Sequence, residues 1–351
     1  MNSKPLFIQD DIFISGKEGY HTFRIPAIII SKKGTVLAFC EGRKNSGSDV
    51  GYIDILLKRS FDNGETWGDL KIIASNPPDT MGNPCPVVDD STGTIWLLLC
   101  KNPGDSFGSL ISEGKAPREV FVMKSTDDGE TWSEPANITD KVKLKGWTWY
   151  ATGPCHGLQL KGGRLLIPCN HAVYNPETGK SGYTSSHVIY SDDGGNTWQI
   201  GGILEEKTNE CVALQTSDDG IYINMRSYHG QNSRAYSWSY DGGITWTPAK
   251  LDSTLVDPVC QGSAIRYQDK DIILFSNAAS TERKNMTVRA SFDKCETWAV
   301  SKTINEGPSA YSDLAVAQDG TIFCMYERGE NRPYEKISIV RFNMEWLKNK
   351  D

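Results

Sequence analysis

Several arginines of this chain lie in or beside apolar, strand-like segments that offer them no obvious partner. Arg24 falls in Phe23-Arg-Ile-Pro26, Arg226 in Asn224-Met-Arg-Ser227 and Arg283 in Ser280-Thr-Glu-Arg-Lys-Asn285. A guanidinium is planar, permanently charged and forked, so it matches a carboxylate through two parallel N–H···O bonds. Three of them meeting from distant parts of the chain would hold one carboxylate with geometric specificity. Taken singly, each reads as a surface ion pair. No Cys-x-x-Cys or His-x-x-x-His spacing accompanies them, so neither a metal site nor a cofactor is expected.

The elements that would have to bring these arginines together are set by a repeat. Ser60-Phe-Asp-Asn-Gly-Glu-Thr-Trp67, Ser125-Thr-Asp-Asp-Gly-Glu-Thr-Trp132, Ser191-Asp-Asp-Gly-Gly-Asn-Thr-Trp198, Ser239-Tyr-Asp-Gly-Gly-Ile-Thr-Trp246 and Ser291-Phe-Asp-Lys-Cys-Glu-Thr-Trp298 share the skeleton Ser-x-Asp-x-Gly-x-Thr-Trp, with Cys295 in place of the glycine in the last copy. Each copy follows a strand-like run: Ile53 to Lys58, Val120 to Lys124, His187 to Tyr190, Ala235 to Trp238 and Met286 to Ala290. Each therefore reads as a hairpin turn. The Asp closes it by accepting backbone N–H bonds, the Gly supplies positive φ, and the Trp offers an apolar face to a neighbouring sheet. Copies about 48 to 66 residues apart fit a four-stranded sheet per unit, the blade of a β-propeller.

Further strand-like runs, such as Thr35–Cys40, Ile95–Cys100, Ile221–Met225, Ile272–Ser276 and Thr321–Tyr326, alternate with clusters of Gly, Asp and Asn. That is the all-β pattern. Only residues 113–119 and 343–350 read as short helices. The expectation is a single domain, residues 1–351, built as a six-bladed β-propeller with Asp-box turns and no inserted lectin module. The sixth blade would close the ring by combining N- and C-terminal strands.

Composition narrows the classes. The 351 residues carry a net charge of -7, which disfavours nucleic acid and anionic membranes as partners, although a cleft can still focus a local positive field. No apolar run approaches the length of a membrane span. The opening Met1-Asn-Ser-Lys-Pro-Leu-Phe-Ile lacks the apolar stretch of a signal peptide. The expected location is therefore cytoplasmic, or secreted or periplasmic if a signal peptide has been removed. Nine cysteines, most of them on strand-like segments, argue for buried thiols over a disulfide framework. Asn137-Ile-Thr and Asn285-Met-Thr fit the glycosylation triplet, a pattern that also arises often by chance.

Phe-Arg-Ile-Pro followed by the repeated turns resembles the sialidase (neuraminidase) superfamily, and specifically the exo-α-sialidases of glycoside hydrolase family 33. The resemblance runs from Arg24 to about Phe342. It includes Glu41-Gly-Arg-Lys-Asn-Ser-Gly-Ser-Asp49, Ala151-Thr-Gly-Pro-Cys-His-Gly157, Asn209-Glu-Cys211, Ala310-Tyr-Ser-Asp-Leu314 and Tyr326-Glu-Arg-Gly329. It implies that Arg24, Arg226 and Arg283 clamp the substrate carboxylate, with Arg289 as the alternative to Arg283. It implies that Glu327 holds Arg24, Asp49 is the general acid/base, Tyr311 the nucleophile and Glu210 its base. Arg43 and Asn83 would lie near the 4-position of the sugar. Without the resemblance, Tyr311 reads as a core aromatic, Glu210 as a solvated loop residue and Asp49 as a turn former.

The implied activity is retaining hydrolysis of terminal α-linked sialic acids from sialylated oligosaccharides, glycoproteins or glycolipids. A trans-sialidase, a preference for the deaminated sugar, or a non-catalytic glycan-binding propeller are the alternatives. The sugar carries a carboxylate at its anomeric carbon, which repels a carboxylate nucleophile. A neutral Tyr hydroxyl avoids that repulsion. Three departures from the family pattern stand out: Cys295 in a turn, Cys155 where relatives commonly have Gly, and Gln215 where many bacterial relatives carry a second acid.

Overall fold

The computed structural model describes residues 4–349 apart from 176, 179 and 269. The described chain is almost entirely β-structure. After β1 (Phe7–Ile14), β2 (Thr22–Ile30), β3 (Val36–Arg43), β4 (Ile53–Ser60) and β5 (Lys71–Ala74) form an antiparallel run. β6 (Thr80–Val88), β7 (Ile95–Asn102), β8 (Glu119–Ser125) and β9 (Ala136–Asn137) repeat it, and a single parallel pair, Ile53–Thr80, carries the sheet pairing across to the first run. β10 (Trp147–Thr152) and β11 (Leu158–Gln159) both pair with β12 (Leu165–Asn175), which carries β13 (Lys180–Ser191) and β14 (Gln199–Glu206). β15 (Thr208–Gln215), β16 (Ile221–Ser227), β17 (Ser233–Ser239) and β18 (Lys250–Val256) form the next sheet. β19 (Ser263–Arg266), β20 (Ile273–Ala278) and β21 (Lys284–Ser291) lead into the long β22 (Val300–Val316). The first part of β22 pairs with β21 and its second part with β23 (Ile322–Arg328). β24 (Lys336–Phe342) and finally β1 complete that sheet. N-terminal β1 thus pairs with C-terminal β24, the combination of terminal strands expected from sequence.

The middle strands are continuous apolar runs because both of their faces are covered. Phe39, Leu57 and Ile29 pack against Leu97, Leu99 and Met81 of the following group. The series ends where Phe13, Phe323 and Ile337 meet Ile28, Ala38 and Leu56, so the last group packs on the first. The nine cysteines are unpaired and buried.

The repeated turns reinforce each junction. In the first copy Ser60 Oγ accepts from Gly64 N at 2.8 Å, while Asp62 accepts from Thr66 N at 2.8 Å and from Thr66 Oγ1. The same pattern recurs around Asp127, Asp193, Asp241 and Asp293. The turn glycine does two jobs. It takes positive φ, and it lies flat against the preceding group: a Cβ on Gly195 would sit 2.1 Å from Trp96 Cε2. Cys295 keeps both the φ (+68°) and the bond to Ser291 Oγ (2.9 Å), and its thiol fills space beside Val212, Leu214 and Tyr222.

Among the described residues three short helices accompany the strands: α1 (Gly108–Ser112), α2 (Thr139–Val142) and, after the last strand, α3 (Met344–Lys348). Sequence placed a helix at 113–119. It falls instead on α1, because Gly114 (φ +70°) ends it and Pro117 bars its continuation. The C-terminal expectation holds, with Asn343 capping α3 through Trp346 N at 3.0 Å.

The inner strands β2, β6, β15, β19 and β22 meet at the centre, where buried side chains tie β2, β19 and β22. Asp313 accepts from Ile28 N (2.9 Å) and Ser263 Oγ (2.7 Å) and pairs with His156 Nδ1 (2.8 Å). Burial pushes the His156 imidazole down, but Asp313 outweighs it and lifts its pKa above the usual value. Beyond this hub a cavity of about 680 Å³ is lined by the C-terminal ends of the same strands: Ile28–Ile30, Val87, Ala213–Gln215 and Leu314–Val316.

The glycine argument predicts opposite fates for two substitutions at the same turn position. Gly195→Ala should lose about 3 kcal/mol or more, from overpacking against Trp96 and left-handed strain. Cys295→Gly should stay within about 1 kcal/mol of the parent, since relief of strain offsets lost burial and added unfolded-state freedom. Denaturant unfolding midpoints measure both.

Candidate active site

The opposite, N-terminal ends of the inner strands are irregular at one common level. Regular pairing breaks in β2 between Arg24 and Ala27, in β6 between Gly82 and Cys85, in β15 between Thr208 and Cys211, and in β22 between Ser309 and Ser312. Bulges re-aim side chains, and these breaks hold Arg24, Asn83, Glu210 and Tyr311. Two contain a proline, which cannot donate to a sheet ladder. The residue before each takes positive φ: Ile25 at +59° and Asn83 at +56°. For a β-branched residue that is real strain.

Glu327, at 0% exposure, stabilises the first break. It accepts from Arg24 Nε at 2.6 Å, from Ile25 N at 2.9 Å and from Tyr311 N at 3.1 Å. Tyr311 Oη donates to Glu210 Oε1 at 2.5 Å. Arg226, at the end of β16, bridges the two through Nη1, 2.8 Å from Glu210 Oε2 and 3.2 Å from Tyr311 Oη. Burial pushes the Tyr311 phenol well up and Glu210 adds to this, while Arg226 and Arg24 oppose it. The phenol is therefore neutral and already bonded to a base.

Arg24 and Arg283 lie over the Tyr311 ring, at 5.2 and 5.5 Å from its centroid. Arg24, Arg226 and Arg283 thus converge on one phenol. Arg289 does not join them. It is buried in β21 and donates to Asn277 Oδ1 at 2.8 Å.

Arg43 holds Glu41 at 2.7 Å and Asp49 at 2.7 Å, and Arg24 is 3.8 Å from the same Asp49 oxygen. The Asp49 side chain is 72% exposed, so it stands at the mouth. Desolvation raises its carboxyl, but Arg43 and Arg24 outweigh that and hold it below the usual carboxylate value. Asn83 is buried at the edge of this group. Its N–H donates to Glu41 Oε1 at 2.8 Å and its Oδ1 accepts from Arg118 Nη2 at 2.5 Å.

Sequence reasoning missed three members. Glu41 lies inside a quoted motif but received no role. Arg118, buried, bonds Asn83, Asn102 and the Tyr150 carbonyl and stacks on Trp149 at 4.0 Å. Tyr334 stacks on Arg24 at 4.0 Å. Neither Arg118 nor Tyr334 had a local signal, because their partners are remote in sequence. Gln215, noted as a departure, sits at the far end of β15 on the cavity side, roughly 17 Å from Glu210 at about 3.3 Å per residue. Cys155 is buried with φ +152°, backbone that favours glycine, and bonds Gln261 rather than any group of the cleft.

Five guanidinium groups (Arg24, Arg43, Arg118, Arg226, Arg283) face four carboxylates (Glu41, Asp49, Glu210, Glu327), leaving one positive charge. Among the described residues Arg283 has no carboxylate partner. The arrangement suits a monoanionic ligand, and Arg24 lies near both the phenol–carboxylate pair and the exposed Asp49 carboxyl.

A family model described as BNR repeat-like domain matches residues 34–324. The sialidase of Micromonospora viridifaciens is 32% identical over 365 residues, covering 98% of this chain but only 55% of that one. The exo-alpha-sialidase of Aspergillus fumigatus is 31% identical, covering 94% of this chain and 86% of its own. Among solved structures, a Hadza microbial sialidase superposes with a TM-score of 0.86 at 28% identity, over 97% of this chain and 69% of that one. An intramolecular trans-sialidase from Ruminococcus gnavus shares the fold, with a TM-score of 0.84 at 18% identity, over 97% of this chain and 98% of that one.

The Glu327–Arg24 pair is expected to be strongly coupled. Glu327→Gln should cost about 3–5 kcal/mol, since it leaves a buried cation without its counter-charge. The double variant with Arg24→Met should lose clearly less than the sum of the two single losses. A chemical-denaturation cycle reads this directly.

Proposed function

The chain belongs to the sialidase family of glycoside hydrolases, and on that premise we propose that it is a retaining exo-α-sialidase acting through a tyrosyl-enzyme intermediate. The observation that carries this reading is the 2.5 Å bond from Tyr311 Oη to Glu210 beneath three converging guanidinium groups. Its substrates are terminal α-linked sialic acids on oligosaccharides, glycoproteins or glycolipids. We read the scaffold as one domain of six blades joined by Asp-box turns: the eight-stranded sheet divides at Ile53–Thr80 and the seven-stranded sheet divides within β22.

In this mechanism the substrate carboxylate neutralises the excess positive charge and is clamped by Arg24, Arg226 and Arg283. Tyr311 Oη attacks the anomeric carbon while Glu210 takes its proton. Asp49 protonates the departing glycosidic oxygen. It then takes a proton from the water that attacks the tyrosyl-linked sugar on the vacated face, while Glu210 returns its proton to the departing Tyr311 oxygen, so the enzyme is restored and the configuration is retained. The guanidinium groups are ordered before substrate arrives and stabilise the charge that develops at the ring.

Asp49 starts with a lowered pKa, so its acid form is scarce near neutrality. The incoming carboxylate offsets the field of Arg24, and the bound glycoside excludes water from the carboxyl. Both raise the pKa towards the value a proton donor needs.

Tyr311→Phe should leave no more than about a thousandth of the parent turnover of a fluorogenic sialoside. Near-normal turnover would remove the nucleophile assignment. The pH dependence of kcat/KM provides a second test. Arg43 favours the Asp49 anion, so Arg43→Gln should raise the Asp49 pKa and move the alkaline limb to higher pH by roughly one unit. A shift to lower pH, or none, would take the acid role from Asp49.

A further inference from the structure

Resting on the carboxylate-clamp reading above, we infer that Tyr334 is a positioning residue that sets the spacing of Arg24 and Arg283. Arg24 and Arg226 each have a buried carboxylate partner. Arg283 lies on a loop, is half-buried, and among the described residues has no ion pair. Its Nη1 donates instead to Tyr334 Oη at 2.5 Å. The ring of the same tyrosine lies 4.0 Å from the Arg24 guanidinium, closer than the Tyr311 ring at 5.2 Å. One side chain therefore contacts two like charges that would otherwise repel. It does so without adding negative charge, so the excess positive charge stays available to a ligand. An acid at this position would bind Arg283 more tightly and cancel that charge.

The loop bearing Tyr334 is built to hold it still. The backbone N–H groups of Glu330, Asn331 and Arg332 all donate to the Glu335 carboxylate, at 2.9, 3.2 and 3.1 Å. Ser15 fastens the other side: its N–H donates to the Glu335 carbonyl at 3.0 Å and its Oγ to the Tyr334 carbonyl at 2.9 Å. The chain folds back so closely that a Cβ on Gly329 would lie 1.9 Å from Arg332 O. Without the tyrosine, the long Arg283 side chain would have to be ordered by the ligand itself, at an entropic cost charged to binding.

The test compares the 2,3-dehydro analogue of sialic acid with its methyl ester, by calorimetry, alongside turnover of a fluorogenic sialoside. Tyr334→Phe keeps the stack and loses the hydroxyl, so affinity for the acid should fall about fivefold. Tyr334→Ala loses both contacts, and the fall should reach about thirtyfold. In both variants the ester should bind within about twofold of its parent affinity, and KM should rise more than kcat falls. Thermal unfolding identifies any general loss of structure, and the phenylalanine variant keeps the test valid if the alanine variant is unstable. Parent-like acid binding in an active enzyme overturns the inference alone. Equal losses for acid and ester also overturn it. A parent protein that neither binds the acid nor turns over the sialoside overturns the clamp reading as well.

Discussion

The buried carboxylate of Glu327 sets the geometry of the cleft. Its three donors come from β2 and β22, inner strands of the first and last groups, which pack on each other. Arg24 and the main chain of Tyr311 are thereby held at one spacing before any ligand arrives. A carboxylate removed from water costs several kcal/mol unless its acceptor sites are filled, so the three bonds and the strained Ile25 conformation require one another. This is preorganisation in a concrete form: the strain is stored in the fold and is not created by substrate.

Around this anchor the charges are graded. The chain as a whole is at -7, yet the cleft is positive. The guanidinium groups differ in their level of neutralisation. Among the described residues, Arg24 and Arg226 face buried acids, Arg43 is shared between Glu41 and Asp49, Arg118 bonds only neutral oxygens, and Arg283 meets a phenol. The two less compensated cations therefore supply the local field, while the paired ones supply position. The nucleophile candidate sits among them as a neutral phenol, so no negative charge on it has to be brought up to an anionic ligand.

Much of the scaffold was legible in the chain because it is local. The Ser-x-Asp-x-Gly-x-Thr-Trp turns close within eight residues, and the middle strands are uninterrupted apolar runs. The arginines were legible as misfits, polar groups in apolar strands, and their meeting point came from the resemblance rather than from spacing. What was not legible depends on long-range closure. Tyr334 touches Arg283 across 51 positions, and Arg118 touches Asn83 across 35. The α1 helix lies before the expected segment for a local reason, since Gly114 and Pro117 end it within the polar stretch that reads as helical.

The bulges connect these themes, because a break in a ladder leaves backbone N–H groups that must find other acceptors. Two of the breaks are solved alike. In Arg24-Ile25-Pro26 the N–H of the positive-φ residue goes to Glu327, which also binds Arg24; in Asn83-Pro84 it goes to Glu41, which also binds Arg43. One acid in each case caps the backbone defect and holds a guanidinium at the cleft. The irregularity that turns a strand residue inward and the charge that orients the neighbouring arginine are therefore one interaction. The repeats show nothing comparable, since their carboxylates are spent on closing turns at the periphery. Scaffold and site can vary separately for that reason: the turns can exchange Gly for Cys where the neighbouring group leaves room, while Glu41 and Glu327 each carry two functions that no single substitution preserves.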